Sequence, residues 1–109
     1  MLQRTKKTHH IQYGVLGLNP TLRMAVVRGQ AVRLTPIEYR LLYNLVAEDG
    51  RTISGDELLD RVWGKGYDGC DDYLWVHISR LRRKLDAPGY PSLIVTERGV
   101  GYRVRKLEG

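Results

Sequence analysis

The chain has 109 residues, with 18 Lys/Arg against 12 Asp/Glu and a formal net charge of +6. Its single cysteine excludes an intrachain disulfide and any multi-cysteine zinc site. No apolar run approaches the ~18 residues of a membrane span, and 42% apolar with 28% charged residues is the balance of one globular domain.

The charge is unevenly placed. Residues 1–33 carry six basic and no acidic side chains, residues 34–72 four basic and nine acidic, and residues 73–109 eight basic and three acidic. An acidic middle between basic ends points to a polyanion-binding face on one side of the molecule. The lone Cys70 suits a reducing cytoplasm. The basic start, Met1 to His10, lacks the apolar segment of a secretory signal.

Residues 1–9 are polar, basic and aperiodic, and read as a linker or tail. The domain is expected over residues 10–106, with a short tail at 107–109. The adjacent His9 and His10 read as tail residues rather than metal ligands. Ile11–Leu18, Met24–Val27 and Ala31–Leu34 are strand-like runs, separated by turn signals at Asn19-Pro20 and Arg28-Gly29-Gln30. They predict a small antiparallel sheet.

The period then becomes helical. Thr35-Pro36-Ile37-Glu38 is a capping box with proline at the first helical position, and Leu34 and Tyr39 are placed as a hydrophobic staple across it. Ile37, Leu41, Leu42, Leu45 and Val46 mark one apolar face, and Gly50 is the expected stop. Ser54-Gly55-Asp56-Glu57 repeats the capping signature, with Ile53 and Leu58 as a second staple. Leu58, Leu59, Val62 and Trp63 form the face of this second helix. Gly64 to Cys70 reads as a loop.

A third helix is expected from Asp71 to Leu85, capped by Asp71 or Asp72. Leu74, Ile78, Leu81 and Leu85 form its core stripe, and Pro88-Gly89 ends it. The chain closes with a hairpin: Leu93–Thr96, a turn at Glu97–Gly99, then Val100–Arg105. Gly99 and Gly101 allow a tight or bulged turn.

The third helix carries the candidate chemistry. Tyr73, Val76, His77, Arg80 and Lys84 share one face beside the core stripe, with Arg82 and Arg83 flanking it. Arginine's planar fork can bond two acceptors of guanine, or phosphate oxygens, and Val76 can touch a thymine methyl. This helix follows the second after a short loop, as in a helix-turn-helix with a lengthened turn. The hairpin adds Arg98 at a glycine-flanked tip, a shape that can enter a minor groove. No Ser/His/Asp set, Cys/His set or phosphate-cradling glycine loop is recognisable, so no enzyme is expected. No metal or cofactor site is expected either.

Four motifs in order carry a resemblance: Leu34-Thr35-Pro36-Ile37-Glu38-Tyr39, Leu58-Leu59-Asp60-Arg61-Val62-Trp63-Gly64, Val76-His77-Ile78-Ser79-Arg80-Leu81-Arg82-Arg83-Lys84-Leu85 and Arg98-Gly99-Val100-Gly101-Tyr102-Arg103. Over roughly residues 11–105 the chain resembles the effector domain of OmpR/PhoB-type bacterial response regulators. The resemblance implies an α+β winged helix-turn-helix: a four-stranded N-terminal sheet, three helices and a C-terminal hairpin wing. It implies binding to direct-repeat duplex DNA, as a dimer on DNA and a monomer in isolation, in the cytoplasm and away from membranes. It implies RNA polymerase as a partner, approached by the loop Gly64, Lys65, Gly66, Tyr67, Asp68, Gly69 and Cys70. In full-length members a receiver domain precedes this one, so the chain is expected to be an excised fragment or a stand-alone relative.

Residue by residue, the resemblance gives Arg80 base contacts and Val76 thymine methyls. Trp63, His77, Arg82 and Tyr102 would hold phosphates, and Thr96 and Arg98 would belong to the wing, with Arg98 in the minor groove. Arg83 and Lys84 complete the basic set. From the residues alone, Trp63 and Tyr102 divide between core and phosphate. About five phosphate contacts would give a log–log salt slope of about −4 to −5. The first turn of the helix departs from the family's usual Arg-Thr-Val-Asp-Val-His: here it reads Asp72-Tyr73-Leu74-Trp75-Val76-His77. Asp72 would repel phosphate, and Glu97 brings a negative charge to the wing. Exposed Tyr73 and Trp75 beside Asp72 open an alternative, a winged helix used as a protein-interaction module.

Overall fold

The computed structural model describes residues 10–108. The linker expected over residues 1–9, with His9, lies outside the described residues. Four short strands come first: β1 Ile11–Tyr13, β2 Leu16–Asn19, β3 Met24–Val27 and β4 Gln30–Arg33. They form an antiparallel meander in chain order. The run Ile11–Leu18, expected as one strand, is therefore two strands that fold on each other, with Ile11 opposite Leu18. Gly14 makes the turn at φ 62°. A side chain is barred there twice over, because a Cβ would also sit 2.1 Å from the Leu107 carbonyl oxygen.

Three helices follow: α1 Pro36–Ala47, α2 Gly55–Trp63 and α3 Asp71–Leu85. The first capping box is complete. Thr35 Oγ1 accepts from the Glu38 amide, and a Glu38 carboxylate oxygen accepts from the Thr35 amide. The second is half made. Ser54 accepts from the Glu57 amide, but the Glu57 carboxylate pairs with Arg61 at 2.5 Å instead of reaching back. Arg61 also binds Glu48 at 2.8 Å, tying α2 to the end of α1. Neither Asp71 nor Asp72 caps α3. The cap is Cys70, without a side-chain hydrogen bond, and both aspartates lie in the first turn. There their charge opposes the helix dipole's positive end favourably. The first helix ends at Ala47, three residues before Gly50, as Asp49 and Gly50 take left-handed backbone.

The wing is β5 Ile94–Glu97 paired with β6 Gly101–Val104. β5 is shifted by one residue from the expected strand, β6 lies within the expected Val100–Arg105, and the turn is Arg98–Val100. Gly101 belongs to the strand, opposite Glu97. Its neighbour explains the shift. Ile53 and Tyr102 exchange two backbone hydrogen bonds, of 2.8 and 2.9 Å, which fix the β6 side of the wing to the segment before α2. A Cβ on Gly101 would lie 2.0 Å from the Ile53 carbonyl oxygen.

One core joins all layers. The sheet contributes Leu16, Leu18, Ala25 and Val27, and α1 contributes Leu41, Leu42, Leu45 and Val46. Leu58, Leu59 and Val62 enter from α2, the stripe Leu74, Ile78, Leu81 and Leu85 from α3, and Leu93, Ile94 and Val104 from the wing base. The last residues are less of a tail than expected: the Leu107 carbonyl accepts the Val15 amide at 2.8 Å, and Leu107 packs on the core. Among the described residues no helix is long and apolar enough to cross a membrane.

Candidate nucleic-acid interface

Burial of its core stripe fixes how α3 presents its other side chains. Opposite the stripe, Val76, Arg80 and Arg83 are exposed. Arg98 is exposed at the tip of the wing. Among the described residues, no side-chain hydrogen bond or ion pair engages Arg80, Arg83 or Arg98. Three unpartnered guanidinium groups on a helix face and an adjoining hairpin tip are what a polyanion with acceptor-bearing bases requires.

The other expected site residues have partners within the chain. On one flank of α3, Tyr73 and His77 pack with Trp63 of α2, at ring separations of 5.2 Å and 5.1 Å. Tyr67 of the loop joins them, 6.2 Å from Trp63 and 6.0 Å from Tyr73. Trp63, which divided between core and phosphate, is half-buried at the centre of this cluster. His77 Nδ1 lies 3.0 Å from the Tyr73 carbonyl oxygen. That oxygen only accepts, so the ring proton belongs on Nδ1 and Nε2 is left for another partner. Lys84, further along the same flank, donates to Glu38 at 2.5 Å and to the Arg33 carbonyl at 3.5 Å. It ties α3 to the start of α1.

On the opposite flank, Arg82 reaches the wing. Its Nε donates to the Ile94 carbonyl at 3.1 Å and its Nη2 to Thr96 Oγ1 at 2.5 Å. The Trp75 ring lies against this guanidinium, 5.3 Å from its centre. Tyr102 is half-buried under the wing, and burial raises its hydroxyl pKa; nearby Asp71 adds to the rise, while Arg82 opposes it.

The acidic departures have distinct fates. Glu97 pairs with Arg103 at 2.5 Å, which neutralises the charge expected to trouble the wing. Asp72 stays exposed on the first turn of α3. With Glu97 paired, Asp56 and Asp71 still line the groove between the wing and the start of α2, so the sign of that groove opposes phosphate. The loop from Gly64 to Cys70 is anchored at both ends. Tyr67 packs on Trp63, the Gly69 amide donates to Asp56 at 3.1 Å, and the Cys70 amide donates to the Tyr67 carbonyl at 3.0 Å. Lys65, Gly66 and Asp68 face solvent between those anchors.

Sequence reasoning read Glu38 only as a capping-box acid and gave Arg103 no role of its own, missing that the one anchors Lys84 and the other neutralises Glu97. The cross-strand pair Glu97–Arg103 had a signal, since the two lie on facing strands of a short hairpin. Tyr73 and His77 had one too, at i,i+4.

The family described as "Transcriptional regulatory protein, C terminal" matches residues 29–104. The chain is 43% identical over 101 residues to the sensory transduction protein RegX3 of Mycobacterium leprae, covering 86% of this chain and 50% of that protein. It spans about half or less of the curated relatives it matches. Among solved structures it is similar to the DNA-binding domain of RstA from Klebsiella pneumoniae, described in complex with the RstA box. That match has a TM-score of 0.78 and 35% identity, and covers 89% of this chain and 97% of that one. The DNA-binding domain of CpxR from E. coli matches with a TM-score of 0.74 and 35% identity, over 92% and 97% of the two chains. With a four-stranded sheet, three helices, a hairpin wing and a family match over most of its length, the chain belongs to the C-terminal domains of transcriptional regulatory proteins, the winged-helix effector domains of OmpR/PhoB-type response regulators.

Proposed function

We propose that this domain binds duplex DNA sequence-specifically as the effector domain of a bacterial two-component regulator, working in the cytoplasm. Helix α3 lies in the major groove, Arg80 bonds base edges, Val76 meets thymine methyls and Arg83 meets phosphate. Arg98 enters the adjoining minor groove from the wing. One observation carries this reading: Arg80, Arg83 and Arg98 are the displayed, unpartnered cations of α3 and the wing among the described residues. The RstA structure, described as a complex with its DNA box, supports it. Trp63, His77 and Tyr102 serve the interface through their exposed edges. In this reading two domains occupy a direct repeat, the isolated domain is a monomer, and the loop from Gly64 to Cys70 faces RNA polymerase.

Selection of bound sites from a random duplex pool tests the proposal. A direct repeat with roughly one helical turn between half-sites is the expected result. The absence of any enriched motif would refute it. Arg80→Ala is expected to cost about 1–3 kcal/mol on the selected site and to relax discrimination at one position. Wild-type affinity and discrimination in that variant would remove Arg80 from the reading set. In the protein-interaction alternative, Asp72, Tyr73 and Trp75 form the docking surface. Tyr73 and Trp75 each pack on a side chain of this chain, so the DNA reading stands first.

A further inference from the structure

A duplex read by α3 in one groove and by the wing in the next imposes a distance between two reading heads. The wing is fixed to the body on both strands. On β6 the Ile53–Tyr102 backbone pair holds it. On β5, beyond the buried Ile94 at its base, the polar hold comes from the Arg82 side chain. Its guanidinium spans two alternate residues of the strand, bonding the Ile94 carbonyl at 3.1 Å and the Thr96 hydroxyl at 2.5 Å. One acceptor is a backbone carbonyl at the strand edge and the other a side-chain hydroxyl two residues on, and a planar fork with several N–H donors can hold both. Trp75, two turns back on the same flank of α3, lays its ring 5.3 Å from the guanidinium carbon. An aromatic face over a cation favours the side-chain conformation that places it there.

Arg82 thus differs from its neighbours Arg80 and Arg83, which are exposed and unpartnered, whereas Arg82 is half-buried. Building on the DNA reading above, we propose that Arg82 is a positioning residue. It is a strut from the recognition helix to the wing, held in place by Trp75, and not a phosphate ligand. Arg98, the first residue of the turn, lies two residues beyond Thr96, within about 7 Å along the chain. A change of angle at Thr96 is therefore carried directly to the tip. The strut sets where Arg98 meets the minor groove relative to the base that Arg80 reads, and so sets the register between the two halves of a site.

The test uses Thr96→Val, which removes the acceptor and keeps the shape, Thr96→Ser, which keeps the hydroxyl, and Arg82→Gln. On the selected duplex, Thr96→Val and Arg82→Gln are each expected to reduce discrimination among bases under the wing, by about tenfold. The pair together should lose no more than either alone. Thr96→Ser should read as wild type, and none of the three should change the salt dependence of binding. The strut is overturned if Arg82→Gln lowers the log–log salt slope by about 0.9, the mark of one lost phosphate contact, while Thr96→Val binds and discriminates as wild type. A second measurement needs no DNA. Residual dipolar couplings of the free 109-residue chain report the angle between α3 and the hairpin. That angle should shift in Thr96→Val and return in Thr96→Ser. An unchanged angle overturns the strut whatever the duplex experiments give. Failure of the wild-type chain to bind any duplex overturns the DNA reading alone.

Discussion

Glu38 is the one buried charged residue of the described core, 4% exposed at the start of α1. Burial pushes its carboxyl up, but the Lys84 ammonium and the Thr35 amide outweigh that, so its pKa lies below the ordinary carboxylate range. A carboxyl with a depressed native pKa stabilises the fold above its unfolded value and ceases to do so as pH falls through the native one. Glu38→Gln is therefore expected to lower stability by about 1–2 kcal/mol near neutrality, since the charge on a buried hydrogen bond is lost. The difference from wild type should shrink as pH drops through the acid range. Urea midpoints measured across that range check it, and parallel curves would show that the pair contributes nothing to the pH dependence. The same pair marks a limit of the sequence. Glu38 was readable as half of a capping box and Lys84 as part of a basic run. Their contact spans 46 residues, and no local spacing encodes it.

The hairpin separates two uses of glycine at the scale of one element. Gly99 sits in the turn at φ 77° with open space around it. Gly101 has ordinary backbone, but the Ile53 carbonyl occupies the place of a side chain. Gly99→Ala should cost about 1 kcal/mol or somewhat more, from its left-handed backbone alone. Gly101→Ala should cost more, about 1–3 kcal/mol or above, because backbone must shift, and it should also move the wing and weaken binding to the selected duplex. Thermal unfolding of the two variants checks the order, and a milder effect at Gly101 would show that the Ile53 contact yields easily. Both glycines read alike in the sequence, as turn residues. Helix spans were legible because burial repeats with their period, as in Leu74, Ile78, Leu81 and Leu85. The limits of the wing were not, because a single residue before α2 sets them. Nor was the division of α3. A helical wheel puts Tyr73, His77 and Lys84 beside Arg80. Only the positions of Trp63 and Glu38, on other elements, show that these three are engaged by neighbours within the chain.

For the whole molecule, the count of 18 Lys/Arg overstates the cations available to a duplex. Arg61, Lys84 and Arg103 are paired with carboxylates within the chain. If the displayed Arg80, Arg83 and Arg98, in the grooves or at phosphate, are the cations that displace counterions, the log–log salt slope for one domain should be about −3. A slope near −5 would instead enrol Arg82 and Lys84 as phosphate ligands. Salt titration on the selected half-site decides between them. The order of elements was readable from end to end, and the four-stranded sheet followed from the resemblance. The contact between the ends was not readable, because residues 107–109 carry no pattern. That contact, from the Val15 amide to the Leu107 carbonyl, makes a mechanical circuit. Leu107 lies three residues beyond the end of β6, and Val15 in the turn between β1 and β2. The turn after β1 is thus tied to the segment after the wing strand by a hydrogen bond that does not pass through the three helices.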